Sequence, residues 1–309
     1  MNRSMKKGYV LIALAALLFG FQGVLSRYLL NFGIPPLALA FLKTLFGAIF
    51  IFILMFLFGI KEKRIQKQDI LSFAWYGIIG VGLFSYFIFA AIERTNVTTA
   101  ITLMYTSGAF TIVLAAFFLK EKITRNKVVS VLITFVGTVL VVVGYNISQL
   151  VIDPLGILFG LLIGLTYGFY NVNSKRYAQK YNTWVANFYS VMFAVIFLGI
   201  VQNPVEILLG GMVPATAWKY ILLLSFLTYG VAYTLFIQGF KTVEAGRGII
   251  VANIEPVVSL LLARVFFKET MSLWQGIGFL LIFLAILLAT RKEETTLFEE
   301  KLEAKKQLG

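Results

Sequence analysis

Glu255, followed directly by Pro256, is the only one of the fourteen acidic residues set well inside a long apolar stretch, Ile249 to Phe267. A carboxylate at such depth costs several kcal/mol unless it is protonated, paired or facing water, so it reads as a group that contacts a solute or carries a proton. The alternative is a structural acid bonded to a neighbouring helix or to backbone freed at a kink. Pro256 removes the N–H that would have bonded the carbonyl of Ala252 and pushes Glu255 away from ideal helical geometry. A helix broken in this way at a water-filled cavity is a common setting for a solute site. Lys43 lies about seven residues into a second apolar stretch, Pro36 to Gly59, roughly 10 Å deep at the helical rise. It can hold an anionic group, pair with Glu255, or snorkel outward. Arg264 sits nine residues after Glu255, faces nearly the opposite way on a regular helix, and reads as snorkelling to the interface.

Uncharged polar residues add to these two. Gln22 and Ser26, then Tyr167, Tyr170, Asn171 and Asn173, then Tyr229, Tyr233 and Gln238, and finally Asn253 fall within apolar stretches. Together with Glu255 they suggest a pocket for a small polar or zwitterionic solute, although membrane helices also use Asn, Gln and Tyr to bind one another. The chain contains no cysteine and no histidine. Disulfides, thiol nucleophiles, imidazole bases and the usual zinc or haem ligands are thereby removed, and neither a metal site nor a cofactor is expected. Without His or Cys, and with a single deep acid, most acid/base and nucleophile/base pairs of an intramembrane enzyme are also missing.

The elements that must position these residues are long apolar helices. With 60% hydrophobic and 13% charged residues, the chain has more apolar surface than a soluble fold of 309 residues can bury. Ten stretches are long enough to cross roughly 30 Å of hydrocarbon as helix. They are Tyr9 to Leu30, Pro36 to Gly59, Leu71 to Ile92, Thr99 to Leu119, Val128 to Tyr145, Leu155 to Ser174, Trp184 to Val201, Tyr220 to Gly239, Ile249 to Phe267 and Leu273 to Thr290. The expected fold is therefore an all-α polytopic membrane protein. Of the 27 basic residues, all but Arg27, Lys43, Arg94, Lys219, Arg264 and Lys268 fall on the side of the N-terminus. By the positive-inside rule both termini are expected in the cytoplasm, with the protein in the cell membrane. The formal charge of +13 is then a topology signal rather than a footprint for nucleic acid. Residues 1 to 20 resemble a signal peptide, but the repeat described next assigns the first helix to the folded core.

A constant shift of 148 residues superposes Gly8 on Gly156, Gly20 on Gly168, Phe21 on Phe169, Ser26 on Ser174, Gly82 on Gly230, and Lys120-Glu121 on Lys268-Glu269. The chain is a tandem duplication with five spans per copy. Five is odd, so the second copy crosses the membrane upside down, the layout of transporters built from inverted repeats. The copies are assigned to residues 8–145 and 155–290, joined by an external stretch from Asn146 to Pro154, with a cytoplasmic tail at 291–309 read as a solvated helix or disordered. The loop Gln202 to Lys219 is expected to form an interfacial turn or a short surface helix. Gly156, Gly160, Gly164 and Gly168 recur every four residues along one helix face, for tight helix packing, a sliding contact or a homodimer. Gly8, Ala16 and Gly20 form a weaker version in the first span, and Gly77, Gly80 and Gly82 raise the same possibilities in the third. Glu255 pairs with Ser107, Pro256 with Gly108, and Lys43 with Val191, so the scaffold is symmetric and the charges are not.

Two five-span repeats, each with a helix ending in Phe118-Leu119-Lys120-Glu121 or Phe266-Phe267-Lys268-Glu269, resemble the EamA-type drug/metabolite transporter superfamily. Pro36-Leu37-Ala38-Leu39-Ala40-Phe41-Leu42-Lys43 resembles the start of that family's second helix, and Glu255-Pro256-Val257-Val258 a motif of its ninth. The similarity covers residues 8 to 290. It implies ten helices, a central cavity and secondary transport of metabolites, often efflux of amino acids or related compounds. Lys43 stands where arginine is common, and Gly108 where the first repeat often has proline, which implies a fourth helix less kinked than the ninth. The expectation is an alternating-access transporter exporting a small amino-acid-like solute, with protonation of Glu255 as the coupling step or, alternatively, uniport or passive exchange that needs no proton site. Multidrug or quaternary-amine efflux and lipid-linked sugar transport are the alternatives.

Overall fold

A computed structural model describes residues 3–144, 150–267 and 271–290. Among these residues there is no strand, and ten helices have the length and apolarity to span a membrane. We number them spans 1 to 10: Arg3–Leu30, Pro36–Leu57, Lys67–Arg94, Val97–Leu119, Arg125–Val143, Pro154–Lys180, Thr183–Val201, Ala215–Phe240, Ala245–Phe266 and Leu273–Thr290. The even number puts Arg3 and Thr290 on the same face of the bundle. Large apolar side chains such as Phe117, Ile200 and Leu273 point outward and are exposed, as a surface solvated by lipid requires. The loop before span 8 holds a short helix, Pro204–Leu209, whose N-cap Asn203 accepts from the Glu206 N–H. The second Lys-Glu copy (Lys268-Glu269), residues 146–149 of the joint between the repeats and the tail at 291–309 lie outside the described residues.

The two copies are interleaved. Span 1 packs on spans 8 and 9, span 6 on spans 3 and 4, span 2 on spans 7 and 8, span 3 on span 7, and span 5 on span 10. Each repeat's first span thus packs against the other repeat, and neither half forms its core alone. The glycine faces make these contacts possible. A methyl group on Gly160 would meet Leu103 Cβ at 2.7 Å, and one on Gly168 would meet Phe110 Cβ at 2.9 Å and Thr111 N at 3.0 Å. Gly156 faces Arg94 and Thr95, and Gly164 faces Thr106 and Ser107. All four stripe glycines therefore pack against the end of span 3 or against span 4 of the same chain. In span 1, Gly20 likewise packs on Val258 and Ser259 of span 9, while Gly77 and Gly82 pack on span 7 and Gly80 on span 6.

Span 6 starts where its cap dictates. Asp153 Oδ1 accepts from the Gly156 N–H at 2.7 Å, and Pro154 fills the first turn, where no N–H is needed. Asp153→Ala is expected to lower stability by about 1 kcal/mol, measured as a lower thermal midpoint in detergent. An unchanged midpoint would show that the cap contributes nothing.

Two irregularities repeat under the 148-residue shift. Spans 3 and 8 each contain a π-helical segment, Ile78–Leu83 and Phe226–Ala232, the kind of local bulge often found at functional sites. Spans 4 and 9 are each split, into Val97–Met104 with Ser107–Leu119, and Ala245–Ala252 with Glu255–Phe267. Span 4 is thus interrupted at the same register as span 9 although it lacks the proline. There Thr106 donates its hydroxyl to the Leu103 carbonyl at 2.6 Å, and the Tyr105 and Thr106 N–H groups close short turns onto Thr102 and Leu103. These bonds end the first half-helix in place of proline, and Gly164 lets span 6 press against the turn.

Candidate functional site

The first half-helix of span 4, the second half-helix of span 9 and the π-segment of span 8 line a cavity of about 1070 Å³, together with residues of spans 1, 2, 3, 5, 6 and 10. Its mouth is lined by Arg27 and Leu30 at the end of span 1, Pro36 at the start of span 2, Val97 and Thr98 at the start of span 4, and Ser272 before span 10. All lie at span ends away from Arg3 and Thr290, so the cavity opens on the face opposite the termini.

Glu255 and Lys43 both line it. Glu255 is the first residue of the second half-helix of span 9, where unpaired N–H groups and the helix dipole favour a negative charge. Lys43 projects from span 2 with its ammonium 5.6 Å from the centre of the Tyr229 ring. Neither side chain is fully buried. Both border the same space, and no salt bridge or hydrogen bond joins them. Gln22, Ser26, Tyr167, Tyr229 and Tyr233 line the same space. Tyr229 and Tyr233 stack with centroids 4.9 Å apart, and Phe19 meets Tyr233 edge-on at 4.8 Å.

Five sequence candidates sit elsewhere, which corrects their placement around the pocket. Tyr170 is buried below the cavity between Tyr76 and Tyr233, with centroids at 5.1 and 5.2 Å. Asn171 donates to Thr111 Oγ1 at 3.1 Å, and Asn173 donates back to the Phe169 carbonyl at 2.9 Å. Gln238 accepts from the Thr183 hydroxyl near the terminal face, and Asn253 is buried in the turn that splits span 9. Helix rotation places these side chains against neighbouring spans instead. Arg264 is exposed on the outer part of span 9 and does not line the cavity. Sequence reasoning passed over Ser259, Ser85 and Gln275, all of which line it. Ser259 was findable, because it lies one turn beyond Glu255 on the same helix face.

The opposite face is shut by charge. Lys120 adopts a left-handed conformation (φ 57°) that ends span 4 and swings Glu121 across to span 9. Glu121 accepts from the N–H groups of Ala245 and Gly246 at 2.8 and 3.4 Å, capping that helix. Lys127 lies 3.4 Å from Glu121 and 3.3 Å from Glu244, and Glu244 pairs with Arg247 at 2.8 Å. Lys175 of span 6 donates to the Val243 carbonyl at 2.7 Å.

The model of the EamA-like transporter family matches residues 6–143 and again residues 154–291. The chain belongs to that family. Its EamA-like relatives include an uncharacterized transporter of Archaeoglobus fulgidus, 29% identical over 94% of this chain and 98% of that one. The uncharacterized transporter YyaM of Bacillus subtilis is 25% identical over 91% of this chain and 93% of its own. The uncharacterized inner membrane transporter YicL of Salmonella typhimurium is 24% identical over 92% and 95%. One solved crystal structure, 21% identical, superposes with a TM-score of 0.75 over 91% of this chain and 96% of that one, which supports the ten-helix EamA-like fold. The protein is a multi-pass membrane transporter.

Proposed function

We propose that the protein is a secondary-active, alternating-access transporter of a small zwitterionic, amino-acid-like solute. The observation that carries this reading is the facing of Lys43 and Glu255 across one cavity without direct pairing. An unpaired charge at membrane depth is costly, and a solute bearing both a carboxylate and an ammonium satisfies the two at once, carboxylate to Lys43 and ammonium to Glu255. Tyr167, Tyr229, Tyr233 and Phe19 supply apolar walls for the remainder of such a solute. Quaternary-amine efflux is less well supported, because the Lys43 ammonium already stands near the Tyr229 ring where a cationic solute would seek an aromatic face.

The basic bias toward the terminal face, read through the positive-inside rule, puts both termini in the cytoplasm of the cell membrane and opens this cavity to the exterior. Export driven by the proton gradient follows if protonation of Glu255 alternates with binding of the solute ammonium. The test is uptake of labelled amino acids and amines into proteoliposomes, with and without a pH gradient. Gradient-driven accumulation of amino acids is expected, with Lys43→Met losing affinity for amino acids more than for simple amines. Uptake of amines alone, or of nothing in the pool by folded protein, would overturn the reading and turn attention to drugs, sugars or lipid-linked solutes.

A further inference from the structure

Several polar side chains are enclosed with hydrogen-bonding capacity unused, and three of them, Ser107, Asn171 and Asn187, share a relation to the open cavity through the repeat. Asn171 and Asn187 donate through Nδ2, Asn187 to the Tyr229 carbonyl at 2.7 Å and to Thr234 Oγ1 at 3.0 Å, but neither Oδ1 has a partner. Ser107 Oγ has none either, and all three residues are at most 1% exposed. A buried polar atom without a partner costs about as much as a lost hydrogen bond, so each requires an explanation.

The repeat supplies one. Under the 148-residue shift, Gly23 maps onto Asn171, Leu39 onto Asn187 and Glu255 onto Ser107, and Gly23, Leu39 and Glu255 all line the open cavity. Arg27 and Gln275, also in its lining, map onto Lys175 and Lys127. Those two lysines are held in the bonds that shut the opposite face.

We propose that Ser107, Asn171 and Asn187 line a second solute cavity, closed in this structure, which opens to the face of Arg3 and Thr290 when the Glu121–Lys127–Glu244–Arg247 network parts. This rests on the alternating-access reading above. The unsatisfied oxygens are then groups that wait for water or solute in the other state. The chemistry of this second cavity differs from the first. Val191 replaces Lys43 and Ser107 replaces Glu255, so its walls add amides and hydroxyls and no duplicate of the charged pair. It takes small hydrogen-bonding solutes through neutral donors and acceptors.

The absence of cysteine lets single cysteines report exposure without background. Ser107→Cys, nearly isosteric, and Asn187→Cys are compared with Ser26→Cys, a reporter of the open cavity, in full-length protein in oriented vesicles. A membrane-impermeant maleimide is offered from each face, with and without Lys127→Met, which leaves Glu121 and Glu244 without the cation between them. The expected result is that Lys127→Met raises labelling of Ser107→Cys and Asn187→Cys from the terminal face about tenfold or more and lowers that of Ser26→Cys from the other. Glu121→Gln repeats the test should Lys127→Met misassemble. If Ser26→Cys labelling falls while the other two stay unreactive, the protein alternates but this cavity is wrongly assigned. If Ser26→Cys labelling responds neither to these variants nor to saturating amino acid, alternating access itself fails, and the proposal with it.

Discussion

Glu255→Gln is expected to abolish gradient-driven accumulation and to weaken binding of an amino-acid solute by about 10- to 100-fold. The magnitude follows from the loss of one charge-assisted hydrogen bond to the solute, about 1.5–3 kcal/mol. Glutamine keeps the length and shape of the side chain, so the first turn of the half-helix Glu255–Phe267 remains intact. It also removes a charge from membrane depth, where no ion pair holds it, so thermal stability should be unchanged or slightly higher. That contrast separates a site residue from a structural one. A structural acid at the kink would instead lose stability on substitution and leave affinity untouched. Titration calorimetry on purified protein, together with the proteoliposome assay, reads both quantities; unaltered affinity with intact gradient-driven uptake would remove Glu255 from the mechanism.

The second large effect is structural. Gly168→Leu is expected to destabilise the protein by about 3 kcal/mol or more, while Gly276→Leu should be neutral or mildly stabilising, since leucine is the better helix former. The difference lies in what each new side chain meets. At Gly168 the first added carbon is already within 3.0 Å of Thr111 N and 2.9 Å of Phe110 Cβ, atoms that no rotamer change can move aside, whereas nothing stands within 4 Å of Gly276. The contact also joins span 6 of one repeat to span 4 of the other, so widening it separates the halves beside the split at Tyr105–Thr106. Thermal midpoints of the two variants in the same detergent test this, and equal midpoints would refute the close-packing account of the stripe.

Legibility in the sequence followed the strength of the physical signal. Glu255 and Lys43 stand out in the sequence because an ionisable group inside an apolar stretch is anomalous wherever it points, and both line the cavity. Tyr170, Asn171, Asn173, Gln238 and Asn253 carried a weaker signal. An uncharged polar side chain is satisfied equally by a neighbouring helix or by a cavity, and its own helix does not say which. The Lys-Glu motif was visible as a repeat, but its use in the first copy, Glu121 capping span 9 beside Lys127, depends on a partner more than a hundred residues away.

The sequence by itself determined the membrane environment, the ten spans, the duplication and the odd number of spans that inverts the second copy, because apolar length and internal similarity are properties of the chain alone. Only the tertiary structure decided that each first span crosses to the opposite repeat, that span 4 breaks without a proline, and that one face is open while the other is held by charge. These outcomes depend on which surfaces meet at close range. Helix packing in lipid selects those surfaces by steric fit between small residues, a fit that periodicity along one helix does not encode.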